Sequence, residues 1–487
     1  MDNETYYIIS TKQELLADLE TPVSTFHKIC KNKPFSFLLE SVEGNEKLGR
    51  YSVIGTEPIL LLSSKDNQTY LDFLEENKKK KRINLDKDPF IALENTIKKT
   101  RFIGKGFENF LGFVGYFGFE TVRWIEPKTK FNSFKKAPDV YLMLPGKLII
   151  FDHILHKVIL ISTLCFQNKK EVALKQIETK RKLNKLLGDF KKPDKLKVLS
   201  VNYEKKKNIA FKSNYKKSEY IKIVNRAKKY IKKGDIFQVV PSQKLTIKGK
   251  YSGLDLYRVL RSINPSPYLF YLRFKDFEIA GSSPEVMVKC ENQDKKRIAY
   301  LRPIAGTYPR GKNEQEDFKN TNILINDKKE RAEHIMLVDL ARNDLGRVCK
   351  SGSVKVKELM VIEKYSHVMH IVSLVEGILK KGETSINLLR ASFPAGTLSG
   401  APKVRALEII NELENKQRGP YGGCTGFFGL NDTINTCMTI RTFVIYKNHL
   451  EIQAGGGIVA DSNPINEYKE TIRKGAALLK AISALSQ

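Results

Sequence analysis

Two Glu-x-x-Glu pairs carry the first chemical signal in this chain, Glu330 with Glu333 and Glu467 with Glu470. Residues three apart share one face of a helix, so each pair presents two carboxylates to one place. Four carboxylates that converge repel one another unless a cation lies between them. An all-oxygen ligand set selects a hard ion, and magnesium typically takes one or two protein carboxylates and completes its shell with substrate oxygens and water. The same spacing is common on solvated helix surfaces, and spacing alone does not separate the two readings. Just before the second pair lies Gly455-Gly456-Gly457. Successive glycines after a strand leave backbone N–H groups free to approach an anion; a flexible turn is the alternative. The run Pro394 to Lys403 has two glycines but not the spacing of a phosphate loop, and reads as a tight turn feeding a helix near Lys403.

These groups must be held by the surrounding elements. The Glu330 pair opens an apolar segment with Ile335, Met336, Val338 and Leu340. The Glu467 pair follows Asn463-Pro464, a strong helix start with Asn as cap and Pro at the first position. A further helix is expected from about Tyr215 to Lys233, with Tyr220, Ile223, Val224, Ala227, Tyr230 and Ile231 on one face and Gly234 as its stop. Strand-like segments occur at Phe35–Leu39, Tyr51–Ile54, Ile59–Leu62 and Lys147–Phe151. Strands and helices intersperse without a regular βαβ alternation, so the fold class is α+β. The chain divides into an N-terminal region, 1–165, a lysine-rich helix and linker, 166–212, and a motif-dense region, 213–487, where the chemistry is expected.

Composition narrows the function classes. The 487 residues are 41% hydrophobic, enough for a substantial core, and hold no run of about 20 apolar residues, so no membrane span is expected. The N-terminus lacks the pattern of a secretory signal. The six cysteines are scattered with no C-x-x-C pair, which argues against a disulfide framework or zinc site and for a reducing, cytoplasmic setting. The formal charge of +30 is concentrated in runs such as Lys78–Lys81 and Lys205–Lys207, away from the glycine and carboxylate motifs. With no nucleic-acid-binding module in view, the lysines read as a solvated surface, and no nucleic-acid partner is expected.

Several segments in order resemble the chorismate-using enzymes, and among them the large subunits of anthranilate synthases. They are Gly234–Ser242, Gly281–Glu285, Arg302–Thr307, Glu333–Asp344, Ser366–His370, Pro394–Lys403, Ile440–Thr442 and Gly455–Glu470. The likeness runs from Leu38-Leu39-Glu40-Ser41 to the last helix. It implies a core of two packed, mixed or antiparallel sheets with flanking helices, and a chain that converts chorismate and ammonia to anthranilate and pyruvate. It implies Mg2+ at Glu333 and Glu470, with Glu330 and Glu467 close by. Arg441 and Tyr421 match groups that hold a substrate carboxylate, and Gly306, Thr307, Gly455, Gly456 and Gly457 match further substrate contacts. Glu285 matches the acid that assists loss of the ring hydroxyl, and His370 the histidine of the aromatising elimination. His367, three residues earlier, is a rival that the residues alone do not exclude. Ser41, Pro267, Tyr268 and Leu269 resemble the family's inhibitory tryptophan site, with Leu269 where many relatives carry Met.

Two positions separate the branches. In the water-using relatives a Lys stands at Gln238 and activates water; Gln has no useful titration near neutrality. In aminodeoxychorismate synthases, the alternative reading, a Lys typically stands at Ala305. Both residues here favour amination that ends in anthranilate. One sequence decoy remains: Gly422-Gly423-Cys424-Thr425-Gly426 has the form of a glutamine amidotransferase nucleophile turn, with His449-Leu450-Glu451 downstream. The synthase motifs leave no room for that domain, so Cys424 is expected to be a packed thiol and the ammonia to come from a separate glutamine amidotransferase subunit.

Overall fold

The sequence places Pro58 between two expected strands, and the chain resolves this by running through it. In the computed structural model, which describes residues 5–41, 49–75, 78–104, 108–204, 208–365 and 368–485, Tyr51–Ile54 and Ile59–Leu62 belong to one long strand, Tyr51–Lys65. Proline cannot donate to a ladder and is tolerated at a bulge. Here the register against the strand Val140–Asp152 slips between Pro58 and Leu60, and Glu57 takes a positive φ of 48°.

That pair anchors the N-terminal part. Ser36–Glu40 lies between Tyr51–Lys65 on one side and Tyr268–Arg273 on the other, antiparallel to both. Gly112–Phe117 pairs with Cys424–Gly429. Strands from the two ends of the sequence therefore share hydrogen-bond ladders. Apart from a two-stranded ribbon of Gln238–Val239 with Gly400–Ala401, the strands join in one network that closes on itself. The two sheets expected from the sequence are continuous with each other rather than separate. Nearly all pairings are antiparallel, the exception being Tyr6–Leu16 against Thr100–Ile103. Two large apolar clusters fill the interior, one including Phe113, Phe117, Leu142 and Phe428, the other Phe26, Tyr257, Leu450 and Leu478.

Helices pack on the outside of this network. Lys217–Lys232 buries Tyr220, Ile223, Val224 and Ala227, and Gly234, at φ 82°, ends it in the left-handed region that glycine favours. Val172–Lys191 buries only Thr179, Leu183, Leu186 and Phe190, a narrow stripe on a lysine-rich helix. The two helices with Glu pairs start as their caps require. Asp327 accepts the Lys329 and Glu330 N–H groups at the head of Lys328–Val348. Asn463 accepts those of Ile465 and Asn466 at the head of Pro464–Leu485. Among the described residues no helix is long and apolar enough to cross a membrane. Lys78–Lys81 lies exposed on the strand Lys78–Asn84, and Lys205–Lys207 falls outside the described residues.

Candidate active site

Glu285 sits in the turn between the strands Phe277–Ser283 and Val286–Gln293, only 9% exposed. Thr397, in the turn between Pro394 and Lys403, donates to its Oε1 at 3.2 Å. Burial drives its pKa up to about 7, against the lowering pull of Thr397, Lys474 and Arg441. The result is a carboxyl that still holds a proton near neutrality, as a general acid requires. Arg441 lies beside it between Ile434–Met438 and Thr442–Tyr446, with a positive φ of 49°, a backbone state that a bulky residue adopts under constraint. Its Nη1 reaches Asn264 Oδ1 at 3.3 Å. Burial lowers its pKa, opposed by Glu285.

His370 is on Val368–Ile378, opposite Thr307 on Ile304–Pro309. The register slips between Ala305 and Thr307, where Gly306 bulges at φ 64°. That bulge turns the Gly306 carbonyl onto His370 Nδ1 at 2.8 Å. A carbonyl only accepts, so Nδ1 carries the hydrogen and Nε2 keeps its lone pair. Burial lowers the His370 pKa, so the ring is neutral near pH 7 and able to take a proton. Arg441 is near enough to add to that lowering, which places acid, guanidinium and imidazole in one neighbourhood. His367 lies outside the described residues.

The carboxylate pairs approach the same place from two helices. Glu330 has a raised pKa, from burial first and then from Glu333, Asp327 and Glu470. Glu467 is raised too, from burial and from Glu470, with Ser462 opposing. Glu467 Oε2 lies 3.0 Å from where a Cβ on Gly456 would be, and Glu330 Oε2 3.2 Å from the Gly306 equivalent. The Gln238 amide donates to Glu333 Oε1 at 3.3 Å, and its nitrogen is 2.7 Å from a Cβ position on Gly457. Among the described residues no three carboxylate, imidazole or thiolate groups are close enough to enclose a metal by themselves. Any hard ion held here would have to take most of its oxygens from substrate and water.

Tyr421 is buried, and burial pushes its phenol up to about 12, so it is a neutral hydrogen-bond donor; its hydroxyl is 3.1 Å from a Cβ position on Gly455. Beneath it lies a network that sequence reading missed. Arg418 is 2% exposed. It pairs with Glu414 at 2.6 Å and donates to the carbonyls of Leu398 and Val240, both at 2.7 Å. Its guanidinium faces the rings of Phe119 and Tyr421. Glu120, its own pKa raised to about 7 by burial, accepts the Arg418 and Gly419 backbone N–H groups. The turn bearing Thr397, the loop after Gln238 and Tyr421 are thus fastened to one buried guanidinium. Lys474 was missed as well. One turn beyond Glu470, it pairs with that residue at 3.0 Å and donates to the Gly455 carbonyl at 3.0 Å.

The remaining predicted residues lie elsewhere. Ser41, Pro267, Tyr268 and Leu269 line a separate cavity of about 540 Å³, together with the rings of Tyr51 and Phe110. Ser41 Oγ is buried there without a hydrogen-bond partner among the described residues. Tyr268 is fixed by its hydroxyl on Asn435 Oδ1, 2.9 Å away. Cys424 is fully buried within a strand, opposite Phe117 and Met438, and burial raises its thiol far above the range of a reactive cysteine. Glu451 is taken by Lys136 and Lys244. The amidotransferase-like segment therefore places its cysteine in the packed strand Cys424–Gly429.

Comparison with known proteins follows the same outline. The sequence pattern of the family described as "chorismate binding enzyme" matches residues 36–480. Anthranilate synthase component 1 of Synechocystis sp. is 44% identical, over 98% of this chain and 96% of that protein. The protein of the same name from Acetivibrio thermocellus is 42% identical, over 98% and 96%. Among solved structures, anthranilate synthase component I from Streptococcus pneumoniae superposes with a TM-score of 0.75 at 29% identity, over 95% of this chain and 98% of that one. A menaquinone-specific isochorismate synthase from Escherichia coli, at 16% identity, shares the fold with a TM-score of 0.74, over 98% and 95%.

Proposed function

The chain belongs to the chorismate binding enzyme family, and we propose that within it this protein is the aminating subunit of an anthranilate synthase, a lyase that turns chorismate and ammonia into anthranilate, pyruvate and water. The observation that carries this reading is the seat of Gln238. An amide, not an ammonium group, faces Glu333 and Gly457 there. An amide cannot deprotonate water, whereas neutral ammonia is a nucleophile without help. Ala305 is equally unable to attack the ring, which disfavours the aminodeoxychorismate synthase reading.

The residues divide the reaction between them. Arg441 and Tyr421 hold a substrate carboxylate, the guanidinium by paired N–H donation and the phenol by its hydroxyl. Gly455 to Gly457, with Gly306 and Thr307, border the place of the remaining oxygens, although the Gly456 N–H is already given to the Pro241 carbonyl at 3.2 Å. Glu285 donates its proton to the ring hydroxyl, which leaves as water while ammonia bonds to C2, beside the carboxylate-bearing carbon; both ring double bonds shift towards the departing oxygen, and the ammonium formed on the ring gives up one proton. His370 Nε2 then removes the hydrogen from the aminated carbon; the electron pair enters the ring, the neighbouring ring carbon–oxygen bond breaks, and the enolpyruvate released takes up a proton to become pyruvate. Glu333 and Glu470 would hold Mg2+, with Glu330 and Glu467 behind them; bound there, the ion supplies Lewis-acid polarisation of the ring carboxylate.

Ammonia in the cell is proposed to come from a glutamine amidotransferase subunit, since Cys424 is inaccessible. The six unpaired cysteines suit a cytoplasmic setting. The cavity at Ser41 is proposed to take tryptophan as inhibitor: its volume suits a small ligand, its aromatic walls suit an indole, and Ser41 Oγ has a hydrogen bond to offer. Asn264 couples it to the chemistry. It contacts Arg441 only four residues before Tyr268 in the cavity wall. The test is the rise of anthranilate fluorescence from chorismate, ammonium and Mg2+ at alkaline pH. The isolated chain gives product with ammonium and none with glutamine or in excess chelator; turnover of glutamine by the chain alone, or full activity in chelator, contradicts the assignment.

A further inference from the structure

Glu285 has a front and a back. Its front faces Arg441 and the proposed substrate position. Glu285 also lines a second cavity of about 50 Å³, together with Thr397, Asp344, Ser392, Arg302 and Leu340 among others. This is room for more than one water, since a single water needs about 10–15 Å³ of such volume. Two polar atoms at this cavity have nothing to bond. Asp344 is 4% exposed and Ser392 2%, yet Asp344 Oδ1 and Ser392 Oγ have no hydrogen-bond partner among the described residues. Buried polar atoms left orphaned cost about 1–3 kcal/mol each, so such pairs normally mark a place where water binds. The two are not orphaned by accident of packing, because Lys403 locks both in place. Its ammonium donates to Asp344 Oδ2 at 3.0 Å and to the Ser392 carbonyl at 3.1 Å. The other carboxylate oxygen and the hydroxyl stay unpartnered among the described residues, on two residues that line the cavity.

We infer that Asp344 and Ser392 hold a short chain of water behind Glu285, and that this chain returns the proton Glu285 gives up in each turnover. The inference rests on Glu285 as the acid of the proposed reaction. The proton count requires a return. Glu285 loses one proton to the leaving hydroxyl, which departs as water, and ammonia loses one as it becomes the ring amine, so there is no net gain or loss. In the proposed reaction, substrate occupies the Arg441 side of Glu285. The back is open to a cavity that reaches the half-buried Arg302 and Leu340. A cavity water donates to the Glu285 carboxylate and is itself reprotonated along the chain. Asp344 and Ser392 position that water and touch no substrate atom; they are positioning residues.

The experiment compares S392A and D344N with the parent, using the full chain with chorismate, ammonium and Mg2+. Replacing an unpartnered buried hydroxyl by a hydrogen leaves stability the same or higher, so a purely structural Ser392 gives S392A the parental rate. The relay gives S392A a kcat lower by about tenfold, within the range by which proton transfer assists such steps. Its KM for chorismate stays near the parental value, its melting temperature does not fall, and its solvent deuterium isotope effect on kcat rises. D344N shows the same pattern. An S392A protein with parental kcat and parental isotope effect overturns the relay, even if D344N is slow, because D344N also loses the charge that pairs with Lys403. A parent inert toward chorismate and ammonium overturns the relay together with the reading beneath it; an active parent with an unaffected S392A overturns the relay alone.

Discussion

At the scale of single residues, the site depends on burial setting protonation states. Glu285 has an ordinary carboxyl value of 4.5 when unfolded and about 7 when folded. Between those values the folded chain retains a proton that the unfolded chain has released, so this group's contribution to stability falls as pH rises from 4.5 to 7 and is level above it. Glutamine removes the term. E285Q is therefore expected to be more stable than the parent at pH 8, on the order of 2 kcal/mol, and no more stable at pH 4, while losing most of its activity; denaturant melts at the two pH values measure it. His370 supplies the complementary expectation. H370M aminates chorismate but does not aromatise it, so the non-aromatic aminated intermediate accumulates and is detected by chromatography, with no pyruvate released. Both groups were singled out in the sequence through the family resemblance: alone, Glu285 reads as a turn carboxylate, and His370 has His367 as a rival three residues away. Arg418 was not. Its partner Glu414 is one helical turn away in spacing, which reads as a surface pair, and Glu120 is 298 residues distant. Lys474 was hidden in the same way, as one of 84 Lys and Arg residues.

At the scale of elements, the chemistry depends on where strands break. The bulge at Gly306 aims a carbonyl at His370, and the ribbon of Gln238–Val239 with Gly400–Ala401 seats Gln238 beside Glu333. Gly400 has φ 140°, and a Cβ there would lie 2.1 Å from the Gln238 carbonyl oxygen. That contact is with backbone and has no easy relief. G400A is expected to cost about 2–4 kcal/mol in stability and to displace Gln238; a lower denaturation midpoint with reduced kcat in the surviving folded fraction checks this. The helix start at Asn463 was legible because capping is local chemistry. The strand Tyr51–Lys65 was split in two at sequence level because a proline normally ends a strand, and the partner that tolerates it, Val140–Asp152, lies far along the chain.

At the scale of the whole molecule, ladders between the N-terminal and C-terminal parts bring two sites into one frame. Ser41, just after the strand Ser36–Glu40, and Tyr268 and Phe427 from two other strands line the proposed inhibitor cavity, and Asn264 touches Arg441. Tryptophan that shifts the 264–268 segment shifts the hold on Arg441, and linkage makes the effect reciprocal. Tryptophan is expected to raise the apparent KM for chorismate, chorismate to weaken tryptophan binding by the same factor, and S41F to abolish both while retaining catalysis; steady-state titration at several chorismate concentrations reads all three. The α+β class and the motif order were visible in the sequence. The continuity of the sheets was not, since pairing between residues such as Leu39 and Phe270 leaves no local mark.

The central claim is that this site aminates chorismate and then expels pyruvate. The most direct measurement is the product balance of the purified chain with chorismate, Mg2+ and ammonium, separated by chromatography and identified by mass. The account predicts anthranilate and pyruvate in equal amounts, with no isochorismate, salicylate or aminodeoxychorismate. Accumulation of any of those three in place of anthranilate, or chorismate recovered unchanged, contradicts it.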